Sequence, residues 1–248
     1  MKNKFIASTL ILMIGGLFTK LLGFVIKILY TRMIGEEGIA LFMLVMPTYS
    51  LLLTIANLAL PIAISKLVAE EQTSNKRIVF SSVFIMMILN IILIVLVFST
   101  SDFIAIKLLQ NPSCKDLLHA MALTLPFVSL SAILKGYFFG KQKMVPHTVS
   151  NILEQVVRLI LIVIFIPFLV KQSTFLAVIG LILLSIASET SSIIVFLFFL
   201  PRDFTIKKSD ITPDLATMKN VFSLSLPTVS SRLIGNIGYF FEPIILTN

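Results

Sequence analysis

Seven long apolar stretches follow one another along this chain, and they constrain its fold more than any other feature. Each is more than 20 residues long, which lets an α-helix cross a hydrocarbon core of about 30 Å. The stretches are 5–30, 41–64, 78–98, 117–139, 149–170, 175–200 and 221–246. Only 13% of the residues are charged, against about 25% in soluble domains. The chain is therefore predicted to be an all-α polytopic membrane protein.

Basic residues between the stretches are distributed unevenly, and this predicts an orientation. If the N-terminus is cytoplasmic, the cytoplasmic side carries twelve of these residues and the opposite side four. This agrees with the general excess of positive charge on the cytoplasmic side of membrane proteins. The cytoplasmic set is Lys2, Lys4, Lys66, Lys76, Arg77, Lys135, Lys141, Lys143, Arg202, Lys207, Lys208 and Lys219, and the opposite set is Arg32, Lys107, Lys115 and Lys171. This pattern favours a bacterial cell membrane protein with a cytoplasmic N-terminus over a nucleic-acid-binding protein.

The polar connection 201–219 divides the chain unequally. It predicts a six-helix lobe at 1–216 and the first helix of a second lobe at 217–248. Lys20-Leu21-Leu22-Gly23 recurs in similar form as Arg232-Leu233-Ile234-Gly235, which fits two parallel six-helix repeats, a known transporter plan. The chain ends at the close of the seventh stretch without a polar tail, so we expect the second lobe to be incomplete.

Charged residues within the apolar stretches are the candidate binding residues. A lysine in hydrocarbon costs roughly 2.5 to 3.5 kcal/mol, so such charges indicate a polar interior. Lys20 is expected deep in the first helix and Lys27 on the same face near the outer interface, where it can also act as an anchor. The full predicted set is Lys20, Lys27, Glu154, Arg158, Glu189 and Arg232.

Two readings remain open for the acidic members of this set. Glu154 and Arg158 are four residues apart on one helix face, where they can form an ion pair that only fixes helix packing. Glu189 lies among small hydroxyl residues that can also serve as packing contacts. With four cations against two carboxylates, the predicted cavity is net positive and should attract anions. Arginine and lysine together suit phosphate groups.

Signatures of catalysis are missing from the sequence. There is no P-loop, and the two histidines, His119 and His147, are each isolated. We therefore predict no enzyme activity, no catalytic residue, no metal site and no cofactor.

Several motifs, taken in order, resemble the stage V sporulation protein B family of the multidrug/oligosaccharidyl-lipid/polysaccharide exporter superfamily. The match covers the whole chain and includes a Thr19-Lys20-x-Leu22-Gly23-Phe24 opening. The other matching segments are 32–38, Pro47-Thr48, 60–70, 134–142 and 154–158.

This resemblance implies two six-helix lobes around a central cavity, in a protein about twice as long. It also implies that the protein flips a polyprenyl-pyrophosphate-linked saccharide such as lipid II, for peptidoglycan, spore cortex or polysaccharide synthesis, by alternating access. By similarity, Lys20 matches a pyrophosphate-contacting position of the first helix, and Lys27 is displaced by one residue from another such position. Arg232 would hold the headgroup from the second lobe, with Arg158 secondary.

Two other functions stay open at this stage. One is a cation-coupled multidrug extruder of the same superfamily, which would need an acidic pocket for cationic cargo. The other is a non-transporting fragment or partner subunit that requires its missing lobe, in cis or from a second chain.

Overall fold

The protein is a bundle of long helices in the computed structural model, which describes residues 2–70, 74–201 and 214–247. For residues 2–5, 7 and 242–247 only the backbone is described. The helices are α1 (Lys2–Asn57), α2 (Leu60–Glu70), α3 (Asn75–Asp102), α4 (Cys114–Gly140), α5 (Met144–Gln172), α6 (Thr174–Phe198) and α7 (Leu215–Thr247). A π-helical segment, Phe103–Leu108, extends α3. Within the described ranges no strand occurs, and the all-α prediction is confirmed.

Helix α1 contains the predicted span 5–30 and most of the next, 41–64, separated by a break at Gly35. This residue has φ +78° and ψ 179°, a backbone conformation that glycine adopts without the steric cost of a Cβ atom. A second break follows at Leu58 and Ala59, which have φ values of +45° and +48°. The ring of Pro61 clashes with a helical carbonyl four residues earlier, at Asn57, where α1 ends. The stretch 41–64, predicted as one helix, is therefore two.

Five helical segments in the described part of the chain have the length and composition to cross a membrane. They are Ser8–Glu70, Asn75–Leu108, Cys114–Gly140, Met144–Gln172 and Thr174–Phe198, and the first of them includes both halves of α1. The predicted seventh span, 221–246, is helical as part of α7, but α7 is not among the five. Its crossing of the membrane stays a prediction.

Helix α4 is the most enclosed of the five. In its most apolar 18-residue window 61% of the residues are buried, and the next highest share, in the segment that contains α3, is 39%. Helix α4 packs against α1, α2, α3 and α6. Gly136 and Gly140 let α2 approach closely, because a Cβ atom at these positions would lie 2.7 Å from the Pro61 Cα atom and 2.7 Å from the Ser65 carbonyl oxygen. Small residues serve this purpose in membrane helix pairs generally.

Helix α7 is attached to the second half of α1 by a polar contact. The Ser50 hydroxyl donates to the Asn236 Oδ1 atom at 2.9 Å, and the Asn236 amide donates to the Thr54 Oγ1 atom at 2.6 Å. The proposed lobe boundary at 216/217 falls inside α7 and stays a prediction. The linker predicted at 201–219 lies mostly outside the described residues.

Replacing Gly136 with alanine should destabilise the bundle, because the new methyl group would overlap the backbone of Pro61. We expect a loss of about 1 to 3 kcal/mol, typical of overpacked sites, measured as the shift in thermal unfolding in detergent. Gly16→Ala is the matched control, since a Cβ atom at Gly16 has no neighbour within 4 Å. Equal unfolding temperatures for the two variants would contradict close α2–α4 packing.

Candidate binding site: a charged cavity within the helix bundle

A cavity of about 500 Å³ lies between α1, α4, α5 and α6. Both halves of α1 contribute, with Lys27 from the first half and Tyr49 from the second. Most of the wall is apolar or aromatic, and its charged members are Lys27, Glu154, Arg158 and Glu189. A volume of this size, apolar but with a few convergent polar groups, is characteristic of small-molecule sites.

Helices α5 and α6 bring three of the cavity's charged groups together. Glu154 and Arg158 are one helical turn apart on α5, and the Arg158 Nη2 atom lies 3.2 Å from Glu154 Oε1. Helix α6 follows α5 directly, with Ser173 capping its N-terminus by accepting a hydrogen bond from the Phe175 N–H at 3.2 Å. This hairpin places Glu189 opposite Arg158, at 3.9 Å between Oε1 and Nη2. Both carboxylates are more than nine-tenths buried.

Arg158 has one further contact within this group. Its Nε atom donates to the Ser188 Oγ atom at 3.2 Å, while its side chain stays 27% exposed. The Oε2 atom of Glu189 is buried and has no hydrogen-bond partner in the described part of the protein. In the described structure, Glu189 has one cation within 4 Å, whereas Glu154 has two.

Lys135 completes the cluster, although the sequence analysis placed it in a cytoplasmic segment. It lies within α4, and its Nζ atom is 3.3 Å from Glu154 Oε2. Lys135 is therefore part of a membrane-length helix and not of a connecting segment, and its charge is matched by a buried carboxylate. The side of the membrane on which it lies stays a prediction. Its position inside the apolar stretch 117–139 was the signal that could have revealed this role.

Four of the six predicted binding residues thus border one cavity, and two do not. Lys20 is exposed on α1 and Arg232 is exposed on α7, and neither is among the residues that line the cavity. Lys27, for which an anchoring role at the interface was the alternative, is the lysine of the first stretch that faces the cavity. The binding roles of all six residues stay predictions.

The net charge around the cavity is smaller than the sequence predicted, where four cations faced two carboxylates. Lys27, Lys135 and Arg158 oppose Glu154 and Glu189, which leaves a net charge of +1 with every group ionised. Tyr49 adds a neutral polar group that sequence reasoning did not identify. Its hydroxyl is 2.8 Å from the Thr124 Oγ1 atom.

The histidines contact other groups instead of each other. The His119 Nε2 atom is 2.8 Å from the Ser101 hydroxyl, and its ring stacks on Phe98. The His147 Nε2 atom is 3.1 Å from the Asn151 amide. Across the described ranges, no three histidine, cysteine or acidic side chains form a group that could hold a metal ion.

Comparison with known proteins places the chain in a family. Residues 5–248 match the family model for polysaccharide biosynthesis proteins. The chain belongs to this family. It is 36% identical over 259 residues to stage V sporulation protein B of Bacillus subtilis (strain 168), covering 99% of this chain and 49% of that protein. The chain thus spans about half the length of this relative.

The chain is also similar to a second curated protein and to a solved structure. The chain is 27% identical over 173 residues to the lipid II flippase MurJ of the same strain, covering 64% of this chain and 32% of the flippase. A crystal structure of a MATE protein in the straight conformation superposes with a TM-score of 0.77 at 18% identity, covering 97% of this chain and 55% of the other. This second similarity shows the fold, that of a multi-pass membrane protein.

Removing the Arg158 charge should destabilise the protein, because Glu154 would keep only Lys135 and Glu189 would lose its nearest cation. For Arg158→Met we expect a loss of about 3 kcal/mol, as for other broken buried ion pairs, measured by thermal unfolding. Lys66→Met is the control. Lys66 and Glu70 form an exposed pair at 3.9 Å, and such pairs contribute about 0 to 1 kcal/mol. Equal stability of both variants would show that the cluster is not structurally important.

Proposed function

We propose that the complete protein is a flippase that carries a polyprenyl-pyrophosphate-linked saccharide, such as lipid II, across the bacterial cell membrane by alternating access. The translocated saccharide would supply peptidoglycan, spore cortex or polysaccharide synthesis. The observation that supports this most directly is that Lys27 and Arg158 face one cavity inside a bundle of membrane-length helices.

The chemistry of the cargo explains why such charges would be kept. A pyrophosphate carries several negative charges, and hydrocarbon strongly disfavours them. Arg158 can offer forked hydrogen bonds and Lys27 a mobile ammonium group, and both interactions strengthen where water is scarce. The net charge of +1 around the cavity favours an anion over a cation.

Lys20 and Arg232 enter this proposal as contacts outside the cavity. Both are charged side chains on exposed positions of long, largely apolar helices. A charge facing lipid at such positions would be costly, so we propose that both border an aqueous path between the two lobes. They would hold the headgroup from opposite sides while Arg158 binds it from within the first lobe.

The orientation is part of the same proposal. Without Lys135, eleven basic residues remain on the side assigned to the cytoplasm and four on the other. This bias still favours a cytoplasmic N-terminus.

Transport through such a cavity needs no catalytic group, metal or cofactor from this chain.

A cation-coupled multidrug extruder remains the second candidate, because Glu154 and Glu189 also line the cavity and could face a cationic compound. In the described structure, however, both carboxylates lie within 4 Å of a cation. This leaves little free negative charge for a cationic cargo.

Translocation by the full-length protein in lipid vesicles tests the proposal. Fluorescent lipid II is the cargo, and its appearance in the opposite leaflet is measured by accessibility to a membrane-impermeant reagent. We expect Lys27→Gln and Lys20→Gln each to slow transport by about tenfold or more, because each removes a charge-assisted contact. Lys66→Gln, on the exposed surface of α2, should transport like the wild-type protein.

Two results would contradict the proposal. One is undiminished lipid II translocation in the triple variant Lys20→Gln, Lys27→Gln, Arg232→Gln. The other is efflux of a cationic dye that is not inhibited by any lipid-linked precursor. This result would support the multidrug function instead.

A further inference from the structure

We propose that Lys135 is a positioning residue, which neutralises Glu154 and thereby leaves Arg158 free to bind an anionic group in the cavity. This inference rests on the proposed function and deepens it by assigning a role to a residue that does not itself line the cavity. The argument depends on how the cations and carboxylates of the cluster are shared.

Glu154 is the group that most needs neutralising. It is 6% exposed, and an isolated carboxylate so deeply buried is costly. Its two oxygen atoms face different cations, with Oε2 at 3.3 Å from Lys135 Nζ and Oε1 at 3.2 Å from Arg158 Nη2. Glu154 and Arg158 line the cavity, whereas Lys135 is not among its lining residues. Lys135 therefore reaches Glu154 from outside the binding space.

Arg158 is shared among more partners than any other residue of the cluster. Its Nη2 atom approaches both Glu154 and Glu189, and its Nε atom donates to Ser188. An incoming anion has to compete with the two carboxylates for this guanidinium. Because Lys135 already neutralises one of them, that competition is reduced.

Without Lys135 the balance around the cavity changes. Two cations, Lys27 and Arg158, would then face two carboxylates, and the net charge would fall from +1 to zero. Among the described residues, Arg158 would then be the one cation left within 4 Å of either Glu154 or Glu189. At an effective dielectric constant near 20, one unit charge about 10 Å from an anion changes its affinity roughly tenfold.

Direct contact between Lys135 and the anion would predict a different result from neutralisation of Glu154. Replacing both partners with neutral residues of similar shape removes one positive and one negative charge together. If Lys135 acts by neutralising Glu154, the paired replacement should restore anion binding that the single replacement loses. If Lys135 touches the anion itself, the paired replacement should not restore it.

The test measures binding of inorganic pyrophosphate to the full-length protein in lipid nanodiscs by calorimetry. We expect Lys135→Met to weaken binding about tenfold, and Lys135→Arg and the double variant Lys135→Met, Glu154→Gln to bind within about threefold of the wild-type protein. Lys66→Met removes the same charge from an exposed pair on α2 and should leave binding unchanged. Thermal unfolding of each variant shows whether it is folded, and the double variant avoids leaving a buried carboxylate short of a partner.

Each outcome decides between the ideas. Wild-type binding retained by Lys135→Met, with loss in Arg158→Met, overturns the role of Lys135 and leaves the proposed function standing. Equal weakening in Lys135→Met and in the double variant overturns the positioning role in favour of direct contact. If the wild-type protein does not bind pyrophosphate, the proposed function fails and this inference with it.

Discussion

The burial of Glu154 is the constraint on which the arrangement of the charged cavity depends. A carboxylate that is 6% exposed in an apolar helix bundle requires nearby cations, and here they come from two helices. Lys135 approaches from α4 and Arg158 from α5 itself. Because α6 brings a second buried carboxylate to the same guanidinium, the relative positions of α4, α5 and α6 are electrostatically linked. A movement of any one of these helices would change how the charges are shared.

Close helix packing and backbone breaks shape other parts of the bundle. Helix α4 is enclosed because Gly136 and Gly140 allow α2 to lie against it, so that dispersion contacts can form along the pair. The breaks at Gly35 and at 58–59 divide residues 2–70 into three helical pieces. The first of these breaks lets Lys27 and Tyr49, from different halves of α1, line the same cavity. The backbone break in α1 and the charged side chains thus contribute to the same cavity.

An internal cavity with nearly balanced charge differs in kind from a simple basic patch. Cations that are held by carboxylates are less costly to keep in an apolar environment than free ones. They can still be released to an anion that offers more negative charge than the carboxylate it displaces. For the function we propose, this arrangement would let a headgroup be bound without leaving unpaired charge behind when it departs. Stage V sporulation protein B and the lipid II flippase MurJ, to which the chain is similar, are about two and three times as long as the parts they share with it.

The sequence by itself indicated the all-α membrane class and the family, and it placed Glu154 and Arg158 where they can form an ion pair, because hydropathy and the spacing of charges on one helix are local properties. It could not show which of Lys20 and Lys27 lines the cavity, since both lie on one face of a helix. Only the positions of the neighbouring helices decide this. Lys135 shows the same limit. Its ion pair joins residues 19 positions apart on different helices, and a linear pattern does not record that two helices face each other. Which charges meet was decided by tertiary packing, because the cost of burying a carboxylate is met by whichever cation the fold brings within reach.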